Sequence, residues 1–174
     1  VLAVEEQGNL KKYRYDFFSD INQKSANNII DFVLSHNDMQ QLSLYINSTG
    51  GLVSAALAIS NFFKLLNNVS VKTYNIGQCA SAAVILYSIG SERVCYKNAT
   101  FYFHSLETTL CGKQTLSMLK EEIKQLKQEM SNTIQTISEN TNIKQSKISK
   151  LFSDKGVTLN AADSLKLTFS TEIV

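Results

Sequence analysis

Proline is missing from all 174 residues, histidine occurs twice and cysteine three times. No low-complexity linker or internal repeat divides the chain, so one domain spanning 1–174 is expected, long enough for a substantial core. Cys79, Cys95 and Cys111 are an odd number at 16-residue intervals. They lack the closely spaced Cys/His pairs of a structural zinc cluster, so no metal is expected. Free thiols suit a reducing compartment, and a cytoplasmic location is the expectation. Long apolar runs are lacking too: nothing approaches the ~20 residues that span a bilayer, so no membrane partner is expected. Val1 to Asn9 carry no basic segment followed by an apolar one.

Excess charge of either sign is also lacking, with 17 Lys+Arg against 15 Asp+Glu. The lysine-dense stretch from Lys113 to Lys127 is interleaved with Glu121 and Glu122, and Glu129 follows. That pattern describes a solvated helix face and not a nucleic-acid surface. Hydrophobic residues at 44% and charged residues at 18% are those of an ordinary globular protein.

What is present has the grammar of an α/β protein. LKKYRYDF (10–17) reads as an edge or first strand, and the apolar positions Ala26, Ile29, Ile30, Phe32 and Val33 place a short amphipathic helix over 22–34. His36 falls in the polar segment after it, as a surface loop residue. LSLYIN (42–47) runs into S-T-G-G, and a helix over 52–66 offers Val53, Ala56, Leu57, Ala58, Ile59 and Phe63 for packing. A second β-rich run (69–76) meets Gly77, where a turn is expected, and the small residues 79–83 lead into a helix over 84–89. Such alternation predicts a mainly parallel sheet. Two short strands follow at 93–96 and 100–103. Leu116, Leu119, Ile123, Leu126, Met130, Ile134 and Ile137 then mark a helix of about 25 residues with one apolar stripe, long enough to project and pack on a partner, the alternative being a helix that lies along its own sheet. Shorter helices at 144–152 and 161–167 flank a D-K-G turn at 154–156.

Three strand ends carry chemistry: Gly50-Gly51, the segment Gly77 to Ser81, and His104. Ligands of parallel sheets bind beyond the carboxyl ends of strands, so these can converge. A serine hydroxyl becomes a nucleophile when a base takes its proton, and imidazole suits that transfer near neutral pH. Backbone N–H groups at a helix start, with one more from Gly51, can stabilise an oxyanion. A helix-capping serine, a structural histidine and an ordinary Gly-Gly turn are the plainer readings of the same residues. The segment does not match the G-x-S-x-G elbow.

Together these motifs resemble those of the ClpP proteolytic-subunit family, peptidase family S14, within the Clp/crotonase superfamily. YINSTGG (45–51) is similar to the family's Y-I-N-S-P-G-G, GQCAS (77–81) to its G-Q-A-A-S, and FYFHS (101–105) to the strand ending in its catalytic histidine. The resemblance implies a ClpP/crotonase-like fold, with repeated β-β-α units around a mainly parallel sheet and a protruding handle helix over 113–140. It implies Ser81 as nucleophile, His104 as base, and the N–H groups of Gly51 and Ala82 as oxyanion hole. An extended polypeptide substrate would lie beside Gly50, Leu52 and Val53. The implied assembly is a homo-oligomer of heptameric rings stacked in pairs, with related ClpP-like subunits and an AAA+ unfoldase as partners and no cofactor. Ala82-Ala83 and Ser105 depart from the Met-Gly and proline of the pattern, which bears on pocket shape.

The third catalytic position is the larger departure. Aligning TLNAADS (158–164) with the family's F-L-S-A-P-E-A without a gap puts Gly156 where the aspartate belongs. A shift of two residues brings in Asp154, whereas Asp163 matches a helix residue without that role. Asp154, another acid or polar orienter, and no effective third member stand as alternatives. The expected function is therefore a serine-type endopeptidase subunit of a self-compartmentalised ring protease, working through an acyl-enzyme. The alternative is a weak or inactive ring subunit with a structural or regulatory role. The acyl-CoA chemistry of the crotonase branch is a third class, without an adenine or pantetheine signal here.

Overall fold

A computed structural model describes residues 4–7 and 10–174, with side chains from Leu10 onward. The expectation for the first nine residues falls largely outside the described part. Strands β1 (Val4–Gln7), β2 (Leu10–Phe17), β3 (Gln41–Ser48), β4 (Ser70–Ala80), β5 (Glu92–Cys95) and β8 (Glu172–Ile173) lie side by side in that order. Strand β2 is not an edge, because β1 pairs antiparallel along it. From β2 to β5 every neighbouring pair is parallel.

Helices α1 (Gln23–Leu34), α2 (Val53–Lys64) and α3 (Ala83–Ser88) make the successive crossovers. Asn22 starts α1 with a capping box: its side chain accepts from Ser25 N–H while Ser25 Oγ accepts from Asn22 N–H. The strands obey the period of two. In β3, Leu42, Leu44 and Ile46 are fully buried and alternate with half-exposed neighbours. In α2 the buried alanines are Ala55 and Ala56, and Ala58, expected to pack, faces solvent.

The expected turn at Gly77 does not occur. Strand β4 runs straight through to Ala80, and there the sheet forks. Its lower half, Lys72 to Asn75, pairs with β5, and its upper half, Gln78 to Ala80, pairs with β6 (Thr100–Phe103). The glycine leaves room for the Asn47 side chain, whose Oδ1 would lie 2.7 Å from a Cβ at position 77. That oxygen accepts from Gln78 N–H where the β3–β4 register shifts. Asn75, fully buried at the fork, donates through Nδ2 to Thr100 O. Strand β7 (Val157–Asn160), absent from the sequence reading, pairs antiparallel with β6 and extends this second arm.

The core lies between the sheet and the helices, with an aromatic cluster of Tyr87, Phe101, Phe103 and Phe169 below the fork. Helix α4 (Leu116–Thr141, 26 residues) joins the fold only by its last turns. Its buried residues are Thr133, Thr136, Ile137 and Thr141, and Asn140 Nδ2 donates to Ser60 and Ser88. The first half projects, with Leu116 and Ile123 exposed. Helices α5 (Gln145–Ile148) and α6 (Ala161–Lys166) complete the chain, a 3₁₀ turn (Ser149–Leu151) extending α5. His36, read as a loop residue, packs half-buried against Tyr13 and Phe32, its Nδ1 2.7 Å from Phe32 O.

Candidate active site

The fork assembles the candidate site. β4 ends at Ala80 and the chain must reverse into α3 within two residues, which puts Ser81 at φ 53, a left-handed conformation that a residue with a Cβ adopts at a cost. The turn is held because Ser81 N–H donates to Tyr102 O at 2.8 Å, continuing the β4–β6 ladder past Ala80. His104 follows β6 by one residue, so serine and histidine emerge from adjoining strand ends. Both are half-buried. Among the described residues they share no hydrogen bond in this conformation.

The Gly50-Gly51 turn lies against Ser81. A Cβ on Gly50 would lie 2.6 Å from Ala80 O, 2.7 Å from Ser81 Cβ and 3.0 Å from Ala82 N, so only glycine lets the two segments meet. Gly51 forms a parallel bridge with Ile21 in which Ile21 N–H donates to Gly50 O and Leu52 N–H to Ile21 O. The bridge uses the amides on either side of Gly51 and leaves its own N–H on the opposite side. Among the described residues neither Gly51 N–H nor Ala82 N–H meets an acceptor. Two amide donors, one next to Ser81 in the chain and one in the turn packed on it, are thus without a protein partner, and free amides are the groups that can hold an oxyanion. Leu52 is exposed and Val53 half-buried next to the turn. Ser48 Oγ, 95% buried, donates to Ser19 O and accepts from Gly50 N–H, fixing the entry to the turn.

Around His104 the acidic groups are weakly placed. Asp154 accepts from Ser105 Oγ at 2.8 Å, one residue beyond the imidazole, and the chain is held there by Ser105 N–H donating to Ser153 O. Asp163 belongs to α6, where its N–H is capped by Asn160 and its carboxylate lies 3.6 Å from Lys166. Glu107, which sequence reasoning did not single out, brings Oε1 to 3.9 Å from His104 Nδ1 but is 84% exposed. Its i,i+3 spacing from the histidine was the available signal. Among the described residues, the aromatic ring paired with His104 is that of Tyr102, stacked at 5.5 Å between centroids and 22° between planes. Among the described residues, no three His, Cys, Asp or Glu side chains converge as metal ligands. No helix there is long and apolar enough to cross a membrane.

A forked parallel sheet, a projecting helix, and a serine turn packed on a Gly-Gly turn define a ClpP-like α/β fold. The chain belongs to the Clp protease family, whose model matches residues 6–174. It is 30% identical over 121 residues to "ATP-dependent Clp protease proteolytic subunit 2" of Chlamydia trachomatis serovar D and of Chlamydia muridarum. That match covers 66% of this chain and 59% of each relative, so the chain spans about three fifths of the length of those curated relatives. Among solved structures it is similar to a point mutant of ClpP1 from Listeria monocytogenes, with a TM-score of 0.79 at 22% identity, covering 92% of this chain and 90% of that one. That similarity bears out the mainly parallel α/β fold.

Proposed function

We propose that the chain is a serine-type endopeptidase subunit of a ring-shaped compartmental protease, acting on unfolded polypeptides. The observation that carries this reading is the packing of the Gly50-Gly51 turn on Ser81, a serine whose backbone is held in the left-handed region, with the Gly51 and Ala82 amides unpartnered among the described residues. A capping serine needs none of these. Ser81 Oγ attacks the scissile carbonyl carbon as the His104 imidazole takes its proton, and the two amides hold the oxyanion. The proton then passes to the leaving amine, the acyl-enzyme remains, and water activated by His104 releases the acid. The substrate extends beside Gly50, with Leu52 and Val53 against its side chains. Heptameric rings stacked in pairs, joined through the free half of α4, and an AAA+ unfoldase as feeder fit membership of the family.

One observation favours the second reading, a weak or inactive ring subunit: no carboxylate of the described residues is hydrogen-bonded to His104. Labelling with a fluorophosphonate discriminates the two. An active subunit is modified at Ser81, and the signal vanishes in Ser81→Ala and falls by about 10²–10⁴ in rate in His104→Ala. An assembled wild-type ring that resists the reagent sinks the catalytic reading and leaves the scaffold.

A further inference from the structure

We propose that Tyr102 is the positioning residue of His104, filling the place that a carboxylate at position 156 would need. The proposal rests on the peptidase reading of Ser81 and His104. Tyr102 and His104 stand two apart as β6 ends, so both side chains leave the same face of the sheet. Their rings lie offset and nearly parallel, 22° apart. Gly156, at φ 70 in the D-K-G turn, lies against the same tyrosine. A Cβ on Gly156 would overlap the Tyr102 hydroxyl and lie 2.6 Å from ring carbons Cε2 and Cζ. The missing acid and the added aromatic are thus one substitution in space: the phenol occupies the volume into which an aspartate at 156 would project.

The groups facing His104 leave this role to the ring. Glu107 is 3.9 Å from Nδ1, beyond hydrogen-bond reach and almost fully solvated, and Asp154 is engaged by Ser105. A tyrosine face against an imidazole fixes the ring plane, and its π cloud favours the imidazolium formed when Ser81 gives up its proton. Tyr102 also accepts Ser81 N–H through its carbonyl. One residue therefore sets the nucleophile through its backbone and the base through its side chain.

Tyr102→Leu removes the ring, Tyr102→Phe keeps it, and Gly156→Ala displaces it from behind. Two readouts are taken on the assembled protein: the rate of fluorophosphonate labelling at Ser81, and the ¹³C resonances of selectively labelled histidine. The chain has only His36 and His104, so His36 is the internal reference. Tyr102→Leu and Gly156→Ala are expected to label about tenfold more slowly, the scale of a misplaced catalytic group, and to displace the His104 resonance alone. Tyr102→Phe stays within about twofold of wild type, and adding Gly156→Ala to Tyr102→Leu has little further effect. A Tyr102→Leu protein with wild-type labelling and an unmoved His104 resonance overturns the proposal. So does a Tyr102→Phe protein as impaired as Tyr102→Leu. If wild type does not label, the peptidase reading has failed, and the resonance still decides whether Tyr102 holds the histidine.

Discussion

Ser81 at φ 53 and Gly50 at φ 102 are two halves of one close contact, and they make separable predictions. Gly50→Ala drives a methyl into Ala80 O and Ser81 Cβ, both rigid parts of the turn. It is expected to abolish phosphonate labelling while lowering the unfolding free energy by ~2 kcal/mol or more. Ser81→Gly and Ser81→Ala are both unreactive, but the glycine relieves the left-handed strain. Chemical denaturation should find Ser81→Gly more stable than Ser81→Ala by ~1 kcal/mol. Equal stabilities would mean that the turn carries no strain. The acid can also be tested by restoration. Tyr102→Leu with Gly156→Asp vacates the ring's volume and supplies a carboxylate, at a backbone angle aspartate tolerates better than most residues. That double variant should label faster than Tyr102→Leu alone.

At the level of elements, α4 divides into a docked end and a free end. Ile137 is fully buried at the docked end, so Ile137→Ala should cost ~3 kcal/mol in denaturant unfolding. Ile123 is 52% exposed, and Ile123→Asp should leave protomer stability within ~0.5 kcal/mol. If the free end is the ring–ring contact, the same Ile123→Asp protein sediments as smaller particles than wild type. Unchanged sedimentation would remove α4 from the interface. The seven apolar positions gave this helix away in the sequence, because a 3.6-residue stripe survives whether or not it is covered. The opposite happened at β4 and β7. A glycine in mid-strand looks like a turn until the approach of Asn47 is known. The short VTLN segment keeps no strong pattern because neither of its faces is fully buried.

At the scale of the whole molecule, burial in the core governs how two of the thiols and one phenol titrate. Cys79 and Cys95 are buried, and desolvation pushes both thiols up, Cys79 well up with a further push from Cys95. Burial likewise pushes the Tyr87 hydroxyl far up. Raised values mean that the native state holds these groups neutral, so the thiols' contribution is intact below their unfolded value of about 8.5, that of Tyr87 below its unfolded value of about 10, and each is lost as pH rises beyond it. Thermal unfolding midpoints should therefore fall progressively above about pH 8.5. With a thiol reagent at pH 8, Cys111, the exposed one, reacts in the native protein, and all three react after denaturation. Fast modification of two or three native thiols would contradict the packing around the fork.

The sequence by itself determined the alternation of strands and helices, the long helix, and the three strand-end motifs, because period and residue type are local properties. It also left the third catalytic position open, since the ungapped alignment puts Gly156 there and a two-residue shift brings in Asp154. The tertiary structure decided what lies against Gly156, the side chain of Tyr102. Only the fork of β4 sets β6 beside Ser81, and only the antiparallel return of β7 carries Gly156 against Tyr102, the tyrosine whose ring stacks on His104. Contacts between residues 54 positions apart are made by sheet pairing, and no local pattern in the chain encodes them.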